Sequence, residues 1–152
     1  MRNDVPAPTL DGLLHYEDIA LNESKVYGPL VVGKGEIIAF AQKFDPQPIH
    51  LDEEAAKASI VGGLCASGVH SCSLMMRLLC DHWLNRTASL GAPGLDEMKW
   101  VLPVRPGDAL SIRIHFDAKR VMASRPDVGM AHAIYELLNQ NGEVVLSSMC
   151  PQ

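Results

Sequence analysis

Phe44-Asp45-Pro46-Gln47-Pro48-Ile49-His50 places a carboxylate and an imidazole five residues apart on a stretch braced by two prolines. Those two groups can take up and return a proton near neutral pH, so the pair suits general acid and base chemistry. Proline fixes its own φ and pushes the preceding residue out of the α region. Pro46 and Pro48 are therefore expected to hold Asp45 and Gln47 extended and to exclude a helix. A fully extended path from Asp45 to His50 would span roughly 16 Å, so the two side chains meet only if the loop curls back. A surface turn with a solvated Asp and His is the competing reading of the loop alone.

Flanking elements must hold that loop. Ile37, Phe40, Ala41 and Phe44 recur at helical spacing, predicting a short amphipathic helix over 34–43 that delivers Asp45. Leu51 to Ala58 predicts a second short helix, with Asp52 as N-cap and Glu53 and Glu54 in its first turn. Gly62-Gly63 lets backbone approach a neighbouring strand or a ligand. The strongest helix runs from Gly68 to Leu84 and is apolar nearly all round, so it is expected to be buried. Leu110, Ile112, Ile114, Phe116 and Ala118 alternate with polar residues, the period of a strand with one wet face. Met98, Trp100, Leu102 and Val104 alternate likewise, with Pro106-Gly107-Asp108 as the turn between the two strands. Residues 130–138 and 143–149 flank Asn139-Gln140-Asn141-Gly142, a hairpin by its Asn-Gly. From Tyr16 to Val32 the signal is weak, and Leu30-Val31-Val32 is the best strand candidate. Residues 1–14, with prolines and no clear periodicity, are read as an N-terminal arm. An antiparallel sheet curled around one long central helix is an α+β solution to this pattern.

At 152 residues the chain predicts a single domain, large enough to bury roughly 70% of the surface exposed by its unfolded form. The net charge of −5 argues against general nucleic-acid or anionic-membrane binding. No run approaches the ~18 apolar residues of a membrane span, and Met1 to Pro8 shows no signal-peptide pattern. Cysteines 65, 72, 80 and 150 include no Cys-x-x-Cys and are read as free thiols packed in a core, which fits a reducing cytoplasm. No further His or Cys stands at ligand spacing around Asp45, His50 and Asp52, so neither a metal nor a cofactor is expected.

Asp-x-x-Pro-Ile-His, the following Leu-Asp and alanine-rich turn, and Ala66-Ser67-Gly68 opening an apolar helix resemble the MaoC-like dehydratases and (R)-specific enoyl-CoA hydratases. The resemblance runs over roughly residues 20–150. The chain departs from the family's Gly-Asp-x-Asn-Pro-Leu-His at Phe44 and Gln47. The resemblance implies a hot-dog fold and at least a homodimer, with an acyl-CoA site near the subunit interface. It implies reversible hydration of trans-2-enoyl thioesters to (3R)-hydroxyacyl thioesters, a hydro-lyase activity. Asp45 and His50 would hold one water between them, and the Gly68 backbone N–H would hold the thioester oxygen. Ser67 would cap the helix or orient the thioester, capping being favoured. His70 is read as a satisfied or surface histidine, and the remaining histidines lie outside any cluster. Lys99, Arg105, Arg113, Lys119, Arg120 and Arg125 are candidates for the CoA phosphates. A thioesterase, or a non-catalytic acyl-thioester binder, is the alternative on the same fold.

Overall fold

The structure, a computed structural model, describes residues 12–152. Five antiparallel strands form one sheet: β1 (Ser24–Val31), β2 (Glu97–Trp100), β3 (Ala109–Val121), β4 (Gly129–Leu138) and β5 (Val144–Pro151), in the spatial order β1-β3-β4-β5-β2. Among the described residues four α-helices accompany them: α1 (Lys34–Phe44), α2 (Pro48–Leu51), α3 (Glu53–Lys57) and α4 (Gly68–His82). Leu74, Met75, Leu78 and Leu79 of α4 join Leu110, Ile112, Ile114 and Phe116 of β3 and Ala133 and Leu137 of β4 in one buried cluster. This is the hot-dog arrangement, a sheet against one long central helix.

The two-residue periodicity of β3 holds as far as Phe116. There an extra residue enters, since Phe116 faces Ala133 while Ala118 faces His132. Such a bulge shifts the side-chain phase by one. Ala118, expected inward, is therefore exposed, and Lys119 turns in, its Nζ donating to the carbonyls of Ile19 at 2.9 Å and Tyr16 at 3.2 Å. The β4–β5 hairpin forms as expected. Asn139 Oδ1 accepts from the N–H groups of Asn141 and Glu143, and Gly142 takes a positive φ of 76°.

Three expectations are corrected. The first strand starts at Ser24 rather than Leu30, and it absorbs Pro29 because β1 is an edge strand with a register shift between Tyr27 and Leu30. Pro106-Gly107-Asp108 turns, with Asp108 Oδ2 accepting from the Arg105 N–H, but joins no hairpin because β2 ends the sheet beside β5 while β3 lies between β1 and β4. Nor is α4 buried all round: Val69 and Met76 are 57% and 51% exposed. Of the N-terminal arm, residues 1–11 lie outside the described ones, and Leu14 bridges to Thr87 just beyond α4.

The bulge generates a test. Ala118→Asp should leave stability within about 0.5 kcal/mol, whereas Phe116→Ala, one bulge earlier, should cost about 3–5 kcal/mol in urea unfolding. Equal costs would mean that the phase does not shift.

Candidate functional site

Asp45 stands at the C-terminal end of α1, whose Ile37 and Ala41 are buried, and its N–H donates to the Ala41 carbonyl at 2.9 Å. Pro46 stops the helix there, and Asp45 takes φ −153°, ψ 69°. Gln47 is extended, as expected. The expectation that the prolines exclude a helix is corrected at Pro48, which opens the single turn α2 as its first residue. Proline suits that position because the N–H it lacks would have no intrahelical partner. This turn supplies the curl, bringing His50 Nε2 to 3.5 Å from Asp45 Oδ2. Just beyond, Asp52 caps α3 as expected, its Oδ1 accepting from the Ala55 N–H at 2.7 Å.

A carboxylate at a helix C-terminus meets the negative end of the helix dipole. Asp45 is nevertheless held below the usual carboxylate value, first by the Ser67 hydroxyl and then by the Gln47 amide, with the nearby His50 adding to them. Ser67 Oγ donates to Oδ2 at 2.6 Å and Gln47 Nε2 to Oδ1 at 2.7 Å. The extra methylene of Gln47 thus lets its amide reach back onto the carboxylate two residues earlier. Phe44 packs on Phe40, with ring centroids 4.9 Å apart, and is otherwise exposed.

His50 is buried, and its Nδ1 lies 2.8 Å from the Cys65 carbonyl oxygen. A carbonyl only accepts, so Nδ1 carries a hydrogen and it is Nε2 that faces Asp45. Arg105 supports this arrangement from behind, its guanidinium donating to the carbonyls of Val61, Gly63 and Leu64. What the Gly62-Gly63 pair approaches is therefore a side chain; a Cβ on Gly63 would lie 3.3 Å from Arg105 Nη1.

Ser67 is fully buried and makes no capping bond, which corrects the reading favoured from sequence. Its hydroxyl hydrogen goes to Asp45 instead. The N–H of Gly68, in the first turn of α4, has no intrahelical partner. Trp100 lies across this residue: its Nε1 donates to the Gly68 carbonyl at 2.9 Å, and a Cβ on Gly68 would stand 2.8 Å from the indole. Asp45, His50, Ser67 and Gly68 thus come together from three segments. The Ser67–Asp45 bond and Trp100 had no signal in local spacing, since each spans more than twenty residues.

Other candidates do not join them. His70 is neither satisfied nor at the surface: it is buried and stacked on Phe40 at 4.4 Å, its Nδ1 has no hydrogen-bond partner, and burial lowers its pKa. His132, expected outside any cluster, lies 2.7 Å from Asp117 Oδ1 and 3.7 Å from Asp96 Oδ2. Among the proposed phosphate ligands, Arg105 is occupied as described and Lys119 as in the fold. Lys99 pairs with Glu97, Arg113 with Glu136 and Arg125 with Asp127. Arg120 lies against Met130. Among the described residues no group of three or more His, Cys, Asp or Glu is placed to hold a metal ion. A cavity of about 830 Å³ lies at the opposite end of α4, lined by Tyr16, Trp83, Phe116 and Met130 among others, and by none of the four residues above.

A family model described as a MaoC like domain matches residues 18–133. The crystal structure of a MaoC-like dehydratase from Rhodospirillum rubrum is 40% identical, with 91% of this chain and 94% of that one covered and a TM-score of 0.86. An uncharacterized protein of Bacillus subtilis (strain 168), YdeM, is 28% identical over 111 residues, which is 73% of this chain and 77% of that protein. The fold is shared at 20% identity with an (R)-hydratase from A. caviae involved in PHA biosynthesis, with a TM-score of 0.67 over 89% of this chain and 96% of that one.

The folded Asp45 titrates below its unfolded value of about 3.9, so its ionised form adds stability above that pH and the contribution is lost as pH falls through the folded value. Ser67→Ala removes the largest cause. It should raise the Asp45 titration, followed by carboxyl NMR; an unmoved titration would show that the hydroxyl does not control this carboxylate.

Proposed function

Because the chain belongs to the MaoC-like domain family, we propose that it is an enzyme, a hydro-lyase that reversibly hydrates trans-2-enoyl-CoA thioesters to (3R)-hydroxyacyl-CoA thioesters. The observation that carries this reading is the pair of acceptors at Asp45 and His50. The carboxylate is held ionised, and the imidazole, its Nδ1 hydrogen committed to the Cys65 carbonyl, faces it with Nε2 at 3.5 Å, an acceptor whenever the ring is neutral. Two acceptors so close repel unless a donor serves both. A water donating one hydrogen to each fits, placed beside the pair because 3.5 Å leaves no room between them, and its lone pairs then point away toward a substrate.

As that oxygen bonds to C3 of the enoyl thioester, its proton passes to the Asp45/His50 pair and is returned at C2, so the elements of water add across the double bond. Charge displaced onto the thioester oxygen is met by the Gly68 N–H at the positive end of α4. Ser67, spent on Asp45, serves as a positioning residue and leaves that amide unclaimed. The relative named a MaoC-like dehydratase and the (R)-hydratase neighbour agree with this chemistry.

The domain takes in the whole chain, residues 1–152, and works in the cytoplasm as a homodimer or a dimer-based oligomer. The free edge of β2 supports the dimer. Just past it Val101 and Leu102 are exposed, as are Val69 and Met76 on α4, an apolar surface of the kind a second copy covers. Light scattering should return an even multiple of the chain mass, and a monomer mass would overturn the dimer.

Purified protein should bleach the ultraviolet absorbance of crotonyl-CoA without releasing free thiol. Asp45→Asn should lower the rate by about 10²–10⁴-fold while keeping the fold. Thiol release at the rate of absorbance loss would point to a thioesterase, and equal behaviour of wild type and variant with bound ester to a non-catalytic binder.

A further inference from the structure

The two tryptophans of the chain are placed in opposite ways. Trp83 is 7% exposed and belongs to the core, whereas Trp100, the last residue of β2, is 56% exposed and lies on the first residue of α4. A Cβ built on Gly68 would meet Trp100 Nε1 at 2.8 Å, Cε2 at 3.0 Å and Cδ1 at 3.2 Å, so the ring fills the space that a single methyl group would need there. The Nε1–Gly68 carbonyl bond of 2.9 Å holds it in place. An indole kept at the surface, bonded to the backbone of the residue that offers the unclaimed N–H, forms a fixed wall beside that N–H.

We propose that Trp100 is a specificity-determining residue that keeps substituents off C2 of the bound acyl thioester, so that the site takes esters unbranched at C2 and rejects those carrying a methyl group there. The proposal rests on reading the Gly68 N–H as the donor to the thioester oxygen. The carbonyl carbon bearing that oxygen has two other neighbours, sulfur and C2. Sulfur is common to every thioester, so a rigid wall next to the oxygen can discriminate among substrates only through what C2 carries. Swinging the ring away to admit a branch would break its bond to the Gly68 carbonyl and move the residue that ends the edge strand, so the wall does not yield cheaply.

Saturated esters test this without turnover. In titration calorimetry the wild-type protein should bind butanoyl-CoA at least about tenfold more tightly than 2-methylbutanoyl-CoA, the scale of discrimination that one methyl group gives in a shaped pocket. Trp100→Ala should bring the ratio to within about threefold by improving the branched ester, and Trp100→Phe, which keeps a ring but loses the anchoring N–H, should fall between the two. Hydration of crotonyl-CoA against its 2-methyl analogue should follow the same order. A wild-type ratio near one overturns the proposal, even where Trp100→Ala proves unfolded by circular dichroism. So does an unchanged ratio in a folded Trp100→Ala. Straight-chain binding without discrimination overturns the wall alone; failure of both esters to bind overturns the reading of Gly68 along with it.

Discussion

A serine hydroxyl has one hydrogen to give, and where Ser67 gives it decides the character of this site. Directed at its own helix, it would do nothing for Asp45; directed at Asp45, it ties the N-terminus of α4 to the end of α1 and supplies no donor to the helix start. With Ser67 fully buried, the bond is not exchangeable for one to water, and losing it would strand a polar group. The helix consequently begins with amide donors that no side chain competes for at Ser67. The residue carrying the first of them is a glycine because an indole occupies the position of its missing side chain.

Around that bond, each group has its state set by a neighbour with only one way to interact. Asp45 sits where the dipole of α1 disfavours charge, yet two donors keep it ionised. His50 has its tautomer set by a backbone carbonyl, which can only accept. That carbonyl is itself placed by the loop that Arg105 gathers, a rigid fork spanning carbonyls of Val61, Gly63 and Leu64. A residue well outside the pair thus fixes which nitrogen of His50 is free. A lysine at 105 would retain the charge but could not span that geometry with a planar fork.

Much of this fold was legible because its signals are local. The helix delivering Asp45, the Asp52 cap, the start of α4 at Gly68 and the Asn-Gly hairpin all follow from residues within a turn or two of one another. So does the choice of Asp45 and His50 as the chemically suggestive pair, and the resemblance placed them on a fold that the comparisons bear out. What escaped depends on contacts across the sequence. The bulge after Phe116 reverses the inward and outward faces with no glycine or proline to mark it, so strict alternation puts Ala118 on the wrong side. Ser67 matched the helix-cap pattern, and only the approach of Asp45, twenty-two residues earlier, turns its hydroxyl elsewhere. His70 looked ordinary because nothing in its neighbourhood of sequence reveals that Phe40 will stack on it. The prolines misled by half: Pro46 does end a helix, but the same restriction that bars proline from a helix interior makes Pro48 a good first residue.

The two ends of α4 show why room alone is a poor guide to where chemistry occurs. The cavity of about 830 Å³ lies against Trp83, where the helix presents its last carbonyl groups and the negative end of its dipole. An oxygen gaining negative charge there would face the negative end of the helix dipole. At the opposite end, about 22 Å away along the axis, space is confined by Trp100, but the amide groups point outward and the Asp45/His50 pair stands alongside. In the proposed reaction charge moves onto one oxygen as a proton leaves another, so the stabilising dipole and the accepting pair must serve the same few ångströms. The N-terminal end of α4 brings the two together, because the serine preceding Gly68 bonds the carboxylate of Asp45.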